Sequence, residues 1–171
     1  YKERHSGPRT SIIVTAYNLA RYLPDCLESV LAQIDKDWEC IVVDDASPDN
    51  SGSIADSYAS RDGRIKVIHN QENQYLAGAR NTGIAAAKGR YILPLDADDM
   101  LAANTVKVLA DELDKDNSIA IAYGNVLFVN EDGKTLTNYN HPNGVGHSGW
   151  PIPFRFDWQM MQRNLLPYSS M

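Results

Sequence analysis

The sequence has no apolar run approaching the roughly 18 residues that a membrane-spanning helix requires. Its opening stretch, YKERHSGPRT, is polar and lacks the apolar core of a signal peptide. Cysteine is scarce: Cys26 and Cys40 are the two thiols among 171 residues, and their spacing fits neither a metal knuckle nor a disulfide framework. Two thiols held reduced inside a core is the plainer reading. Basic residues are outnumbered, 16 Lys+Arg against 22 Asp+Glu, for a net charge of −6. That argues against a nucleic-acid partner, which needs a basic face. An anionic small ligand stays open, because a local site or a metal overrides the bulk field. There is no internal repeat and no low-complexity tract. His5, His69, His141 and His147 show no HExxH spacing. No P-loop is present, and VTAYNLARYL supplies no glycines where a dinucleotide-binding turn would need them. GVGHSG at 144–149 matches G-x-G-x-x-G in letters alone, since it follows no strand and opens no helix.

What remains is an ordinary globular composition, 43% hydrophobic and 22% charged, with length for one domain. Residues 1–9 read as a linker and 10–171 as the domain. The chain opens on Tyr1 and ends in the strand-like LLPYSSM, so the expectation is a segment of a longer polypeptide. Strand patterns fall at Ser11–Tyr17, Glu39–Asp44, Ile65–Asn70, Tyr91–Leu95 and Ile119–Asn130. Helical spacing falls at 23–31, at Ser53–Ser60, at Leu76–Lys88 with Gly89 as its stop, and at Thr105–Leu113. EDGK is expected to turn into TLTNYN, 141–153 to be an irregular loop, and Phe156–Arg163 to be a helix. Strand and helix alternating through four rounds predict an α/β fold, a mainly parallel Rossmann-like sheet sandwiched by helices. Ligands of such sheets bind outside the carboxyl ends of the strands. TAYN, DDAS and LDADD all fall at such ends, so three polar clusters share one edge.

Each cluster has two readings. In DADD, Asp96 and Asp98 offer hard oxygens that suit Mg²⁺ or Mn²⁺ and leave positions for water and phosphate; the alternative is a helix cap or a solvated turn. In DDAS, a carboxylate can accept a hydrogen bond from a pyrimidine imide N–H or a ribose hydroxyl; the alternative is an Asx-turn. In GARN, Arg80 in the first turn of a helix suits a diphosphate; the alternative is a surface arginine. LDADDM also has the D-x-D of aspartyl-phosphate hydrolases, but it follows the fourth strand, not the first, and Met100 occupies the place of their Thr or Val.

Together, IIVTAYNLARYLPDCLESVLAQ, ECIVVDDASPDNS and NQYLAGARNTGIAAAKGRYILPLDADD resemble the inverting family 2 glycosyltransferases with the GT-A fold. The likeness covers roughly residues 10 to 130 by motif order and spacing, and NLLPYSSM more weakly. It implies that Thr15, Ala16 and Tyr17 border a nucleotide base, that Asp45, ahead of Asp44, bonds that base, and that Arg80 faces the nucleotide. It implies Asp96 near the ribose and Asp98 on a Mn²⁺ or Mg²⁺ ion, with Asp99 as helper or cap. The implied reaction moves a sugar from a nucleoside-diphosphate donor, with UDP favoured, to a saccharide, lipid or protein hydroxyl. The general base would lie in an acidic pair beyond Met171, because Glu131, Asp132 and Asp157 do not match it. The implied location is the cytoplasm, including the inner face of a membrane, with any membrane contact made by parts outside this chain. An inactive nucleotide-binding module and, more remotely, a nucleotidyltransferase are the competing readings. Two departures from the family carry expectations. Tyr75 stands where a glycine is usual, and Pro94 should bend the fourth strand or remove a ladder bond before Asp96.

Overall fold

The computed structural model describes residues 6–124 and Leu127. Four strands and four helices alternate: β1 (Thr10–Ala16), α1 (Leu23–Leu31), β2 (Trp38–Asp44), α2 (Ser51–Arg61), β3 (Ile65–His69), α3 (Tyr75–Ala86), β4 (Tyr91–Asp96) and α4 (Thr105–Lys115). The strands form one parallel sheet in the order β3-β2-β1-β4. β1 and β2 are buried along their whole length, as near-continuous apolar runs in a parallel sheet must be. Alternate residues serve opposite layers. Ile12, Val14, Cys40 and Val42 pack with Leu23, Leu27 and Val30 of α1, Ala55 and Tyr58 of α2, and Val106 of α4. Ile13, Ile41 and Val43 face the other way, onto Ala79 of α3.

α3 comes very close to the sheet because its inner face is small. A Cβ built on Gly83 would lie 2.4 Å from Ile13 Cγ2 and 3.2 Å from Val43 Cγ2. Gly89 was expected as the helix stop, but α3 ends at Ala86 with Ala87 as C-cap. Gly89 instead lies against β1, where a Cβ would meet the Ser11 amide nitrogen at 2.4 Å. Its glycine is set by proximity to backbone, not by a left-handed cap.

Pro94 does not break β4: register with β1 continues through Ile13↔Pro94 to Thr15↔Asp96. Among the described strands β4 is an edge, where proline is tolerated. Residues 119–124, expected to open a long strand, join no ladder in the described structure. Apolar alternation defines a face, but a strand also needs a neighbour for its N–H and C=O groups. The remainder of that strand, the 131–134 turn, the 141–153 loop, GVGHSG, the helix at 156–163, and Glu131, Asp132 and Asp157 lie outside the described residues.

The segment expected as a linker is tied down at its end. The Arg9 guanidinium donates to Asp35 (3.0 Å), Asp111 (2.6 Å) and Asp114 (2.7 and 3.2 Å), and Arg90 and Tyr91 also reach Asp114. This network joins the N-terminal segment to α4 and to the turn before β2. Its carboxylates are partly solvated, so Arg9→Ala should cost about 1–2 kcal/mol, more than an isolated surface pair and less than a buried one. The loss should shrink with added salt, which urea midpoints at low and high ionic strength would show.

Candidate functional site

Because all four strands are parallel, Ala16, Asp44, His69 and Asp96 end on one edge. The predicted residues Thr15, Ala16, Tyr17, Asp44, Asp45, Asp96 and Asp98 all lie at this edge. Ala16 is buried and its carbonyl accepts the Asp45 N–H at 2.9 Å; Tyr17, 48% exposed, faces solvent beside it. Thr15 pairs across the ladder with Asp96, and Arg80 Nη2 donates to Asp96 Oδ1 at 2.6 Å. Arg80 lies in the second turn of α3, not the first, because the helix begins at Tyr75. Helical side chains lean toward the N-terminus, and this lets Arg80 reach the β4 tip. Thr15 Oγ1 and Arg80 Nε are buried without a partner among the described residues, as are Thr10 Oγ1 and Trp38 Nε1 where the strands begin.

Asp45 is 2% exposed. Its Oδ1 accepts from the Asn70 side chain at 2.6 Å and from the Gln74 amide at 3.0 Å, and its Oδ2 shares that amide at 3.0 Å. The carboxylate therefore clasps the β3–α3 loop, and Oδ2 keeps lone-pair capacity for one further donor. That loop ends in Tyr75 with φ of 61°, a left-handed conformation that favours glycine; the glycine expected there matches the backbone observed. The β1–α1 loop is held from the side by the SPDNS turn. Asn18 N–H bonds Ser47 Oγ, Leu19 N–H bonds Ser51 Oγ, and Ala20 N–H bonds Asp49 Oδ2. Desolvation is the largest single influence on the Asp49 carboxyl and opposes its charge, but hydrogen bonds from the Ser51 hydroxyl and the Ala20 and Ser51 amides together outweigh it and hold the group below its ordinary value. The sequence marked this stretch only as a turn; its link to the first strand tip depends on contacts about thirty residues apart in the chain.

The DADD segment is a turn, closed by Asp99 N–H to the Asp96 carbonyl at 3.0 Å. It does not cap α4, whose N-cap is Asn104. Buried Gln33 fixes the following loop: Nε2 donates to the Ala102 carbonyl at 2.8 Å and Oε1 accepts the Val106 N–H at 3.0 Å. Ser29 Oγ accepts the Leu101 N–H. Asp98 is exposed and has no hydrogen bond or ion pair among the described residues. Partial desolvation, then the charges of Asp98 and Asp96, push the Asp99 carboxyl above its ordinary value. Among the described residues no group of three ligating side chains converges. One free, hard carboxylate beside a repelled neighbour fits Mg²⁺ or Mn²⁺ held mainly by water and a ligand's phosphates. It does not fit a structural zinc site, which needs a closed set of four ligands, mostly nitrogen and sulfur.

Known proteins resemble this chain in sequence and fold. "Uncharacterized glycosyltransferase EpsJ" of Bacillus subtilis is 44% identical over 117 residues, 68% of this chain and 34% of its own. The crystal structure of S. aureus TarS in complex with UDP-GlcNAc superposes with a TM-score of 0.58 at 31% identity, covering 63% of this chain and 31% of that one. The mannosyltransferase PcManGT from Pyrobaculum calidifontis, in complex with GDP-Man and Mn²⁺, gives a TM-score of 0.53 at 29% identity, covering 59% of this chain and 32% of that one. The chain thus spans about a third of the length of these relatives, and its sheet is the α/β GT-A type. With the model of "Glycosyl transferase family 2" matching residues 11–169, the chain belongs to glycosyl transferase family 2.

Proposed function

We propose that this chain forms the donor half of a metal-dependent, inverting glycosyltransferase that uses a nucleoside-diphosphate sugar, with UDP favoured. The observation that carries this reading is the convergence at the carboxyl edge of the Arg80–Asp96 pair, the Asp45 carboxylate and the exposed Asp98. A ribose hydroxyl would find an acceptor in Asp96, and a diphosphate a cation in Arg80. The spare capacity of Asp45 Oδ2 suits the imide N–H of uracil. The UDP-GlcNAc complex of TarS supports the same donor class. Asp98 would hold the divalent ion, which when bound neutralises charge building on the leaving diphosphate. Arg80 adds a fixed positive charge from the protein side.

In the proposed step the acceptor oxygen forms a bond to the anomeric carbon as the bond from that carbon to the diphosphate oxygen breaks. The acceptor proton passes to a carboxylate base, and the transition state has oxocarbenium character. We place that base outside the residues described, so nucleotide binding is the readout that tests the donor site. UDP with Mn²⁺ should raise the melting temperature by several degrees, since a ligand at about a hundred times its Kd contributes about 2.7 kcal/mol. Asp98→Ala should remove the part that needs metal. Stabilisation by UDP indifferent to both metal and Asp98 would overturn the metal role; no stabilisation by any nucleoside diphosphate would overturn the reading.

A further inference from the structure

The residue at the β3 tip has no part in the donor site above. His69 lies between two carboxylates: Nδ1 is 3.0 Å from Asp44 Oδ2 and Nε2 is 3.1 Å from Asp56 Oδ1. An imidazolium donates through both nitrogens, whereas the neutral ring can donate through only one. The bridge depends on room made by Gly52, where a Cβ would stand 2.6 Å from Asp44 Oδ2 and 3.2 Å from His69 Cε1.

The buried Asp44 links this bridge to the base pocket. Its Oδ1 accepts the Ser47 N–H at 3.1 Å. Ser47 Oγ in turn accepts the Asn18 N–H at 3.2 Å and donates to the Ala16 carbonyl at 3.4 Å. The Asp44 carbonyl accepts the Asn70 N–H at 2.9 Å, and the Asn70 side chain bonds Asp45. One chain of polar contacts therefore runs from His69 through Asp44 to both loops that would hold the base. The titratable groups facing His69 are Asp44 from β2 and Asp56 from α2. Lys66 on its own strand points to the opposite face, where it binds Glu39.

We propose that His69 is a positioning residue for the nucleotide pocket: as an imidazolium it ties Asp44 to Asp56 of α2, and nucleotide affinity falls when rising pH removes its proton and with it one of the two bonds. This rests on the donor-site reading above. The hydrogen bond to Asp44, then that to Asp56, raises the affinity of the ring for its proton above the ordinary value. A group so raised contributes fully at pH below its unfolded value of about 6.5 and loses that contribution as pH climbs through the folded one.

The test measures Kd for UDP with Mg²⁺ from about pH 6 to about pH 8.5 in the wild type, His69→Gln and Asp56→Asn. The ligand's own ionisation is common to all three. Wild-type affinity should fall about fivefold more than that of His69→Gln, the factor of roughly one hydrogen bond. Asp56 is exposed and outside the pocket, so Asp56→Asn should keep low-pH affinity while moving the midpoint to lower pH. Parallel profiles for wild type and His69→Gln, or an unmoved midpoint in Asp56→Asn, overturn the proposal. If His69→Gln does not fold, the Asp56→Asn midpoint alone decides. Tight binding with flat differences removes only the role of His69, whereas no UDP binding at any pH removes the donor site and this role together.

Discussion

Gly89→Ala is expected to destabilise the protein by more than about 3 kcal/mol, at the upper end of overpacking costs. The added methyl would stand 2.4 Å from the Ser11 amide nitrogen, 2.6 Å from Ser11 Oγ and 2.7 Å from the Thr10 carbonyl carbon. Two of these are backbone atoms of β1, the strand bonded on both sides in the middle of the sheet. A side-chain tip could rotate away, but a central strand cannot shift without disturbing both ladders. The Gly89 N–H also donates to Ser11 Oγ at 2.7 Å, so retreat of the loop would leave that N–H without its acceptor. Gly63→Ala is the control, because nothing lies within 4 Å of a Cβ there. Urea midpoints should separate the two widely, and a Gly89→Ala midpoint equal to wild type would refute the account.

Glu39→Ala should cost about 3 kcal/mol through loss of a buried, multiply bonded charge. Glu39 is 4% exposed. It accepts from Ser11 Oγ at 2.8 Å, the Lys88 amide at 2.6 Å and Lys66 Nζ at 2.6 Å. Truncation would strand the Ser11 hydroxyl and the Lys88 N–H without an acceptor, while Lys66, half exposed, could turn to water. Burial is the largest influence on the carboxyl and opposes its charge, but bonds from Lys66, Ser11 and Lys88 together outweigh it and hold it below its ordinary value. A depressed carboxyl stabilises the fold above its unfolded value, about 4.3, and that contribution fades as pH falls through the folded one. The gap in stability between wild type and Glu39→Ala should therefore be widest near neutrality and narrow in acid below about pH 4. A gap constant with pH would mean that the charge contributes nothing. Glu39 and Gly89 share Ser11, so the double variant should lose less than the sum of the single losses.

β1 and β2 were legible in the sequence because burial on both faces writes a continuous apolar run. The shared edge of the three polar clusters was legible as well, since parallel strands bring every carboxyl end to one side. The family likeness placed a glycine where Tyr75 adopts a left-handed backbone, which no local pattern would show. Gly89 was misread because a helix stop and a close approach call for the same residue, and only the partner 78 positions away distinguishes them. The start of α3 was read to within one residue, at Leu76 against Tyr75, and Arg80 falls just past its first turn on either bound. Gln33 and Asp49 escaped notice, and His69 was set aside with the other histidines, for a different reason. Each acts through partners on other elements, and no periodicity reports such contacts.

The two ends of the parallel sheet have different duties. Glu39, Ser11, Gly89 and the Arg9 network gather where the strands begin, and the loops proposed to hold the donor gather where they end. Damage at the beginning should unfold the molecule, whereas change at the loop tips should mainly alter what it holds. Such a division favours diversification. A lineage could trade one donor for another by drifting at the tips while purifying selection guards the opposite rim. Deep mutational scanning of this domain should then separate into two maps, one of abundance and one of binding, lying at opposite ends of the same strands.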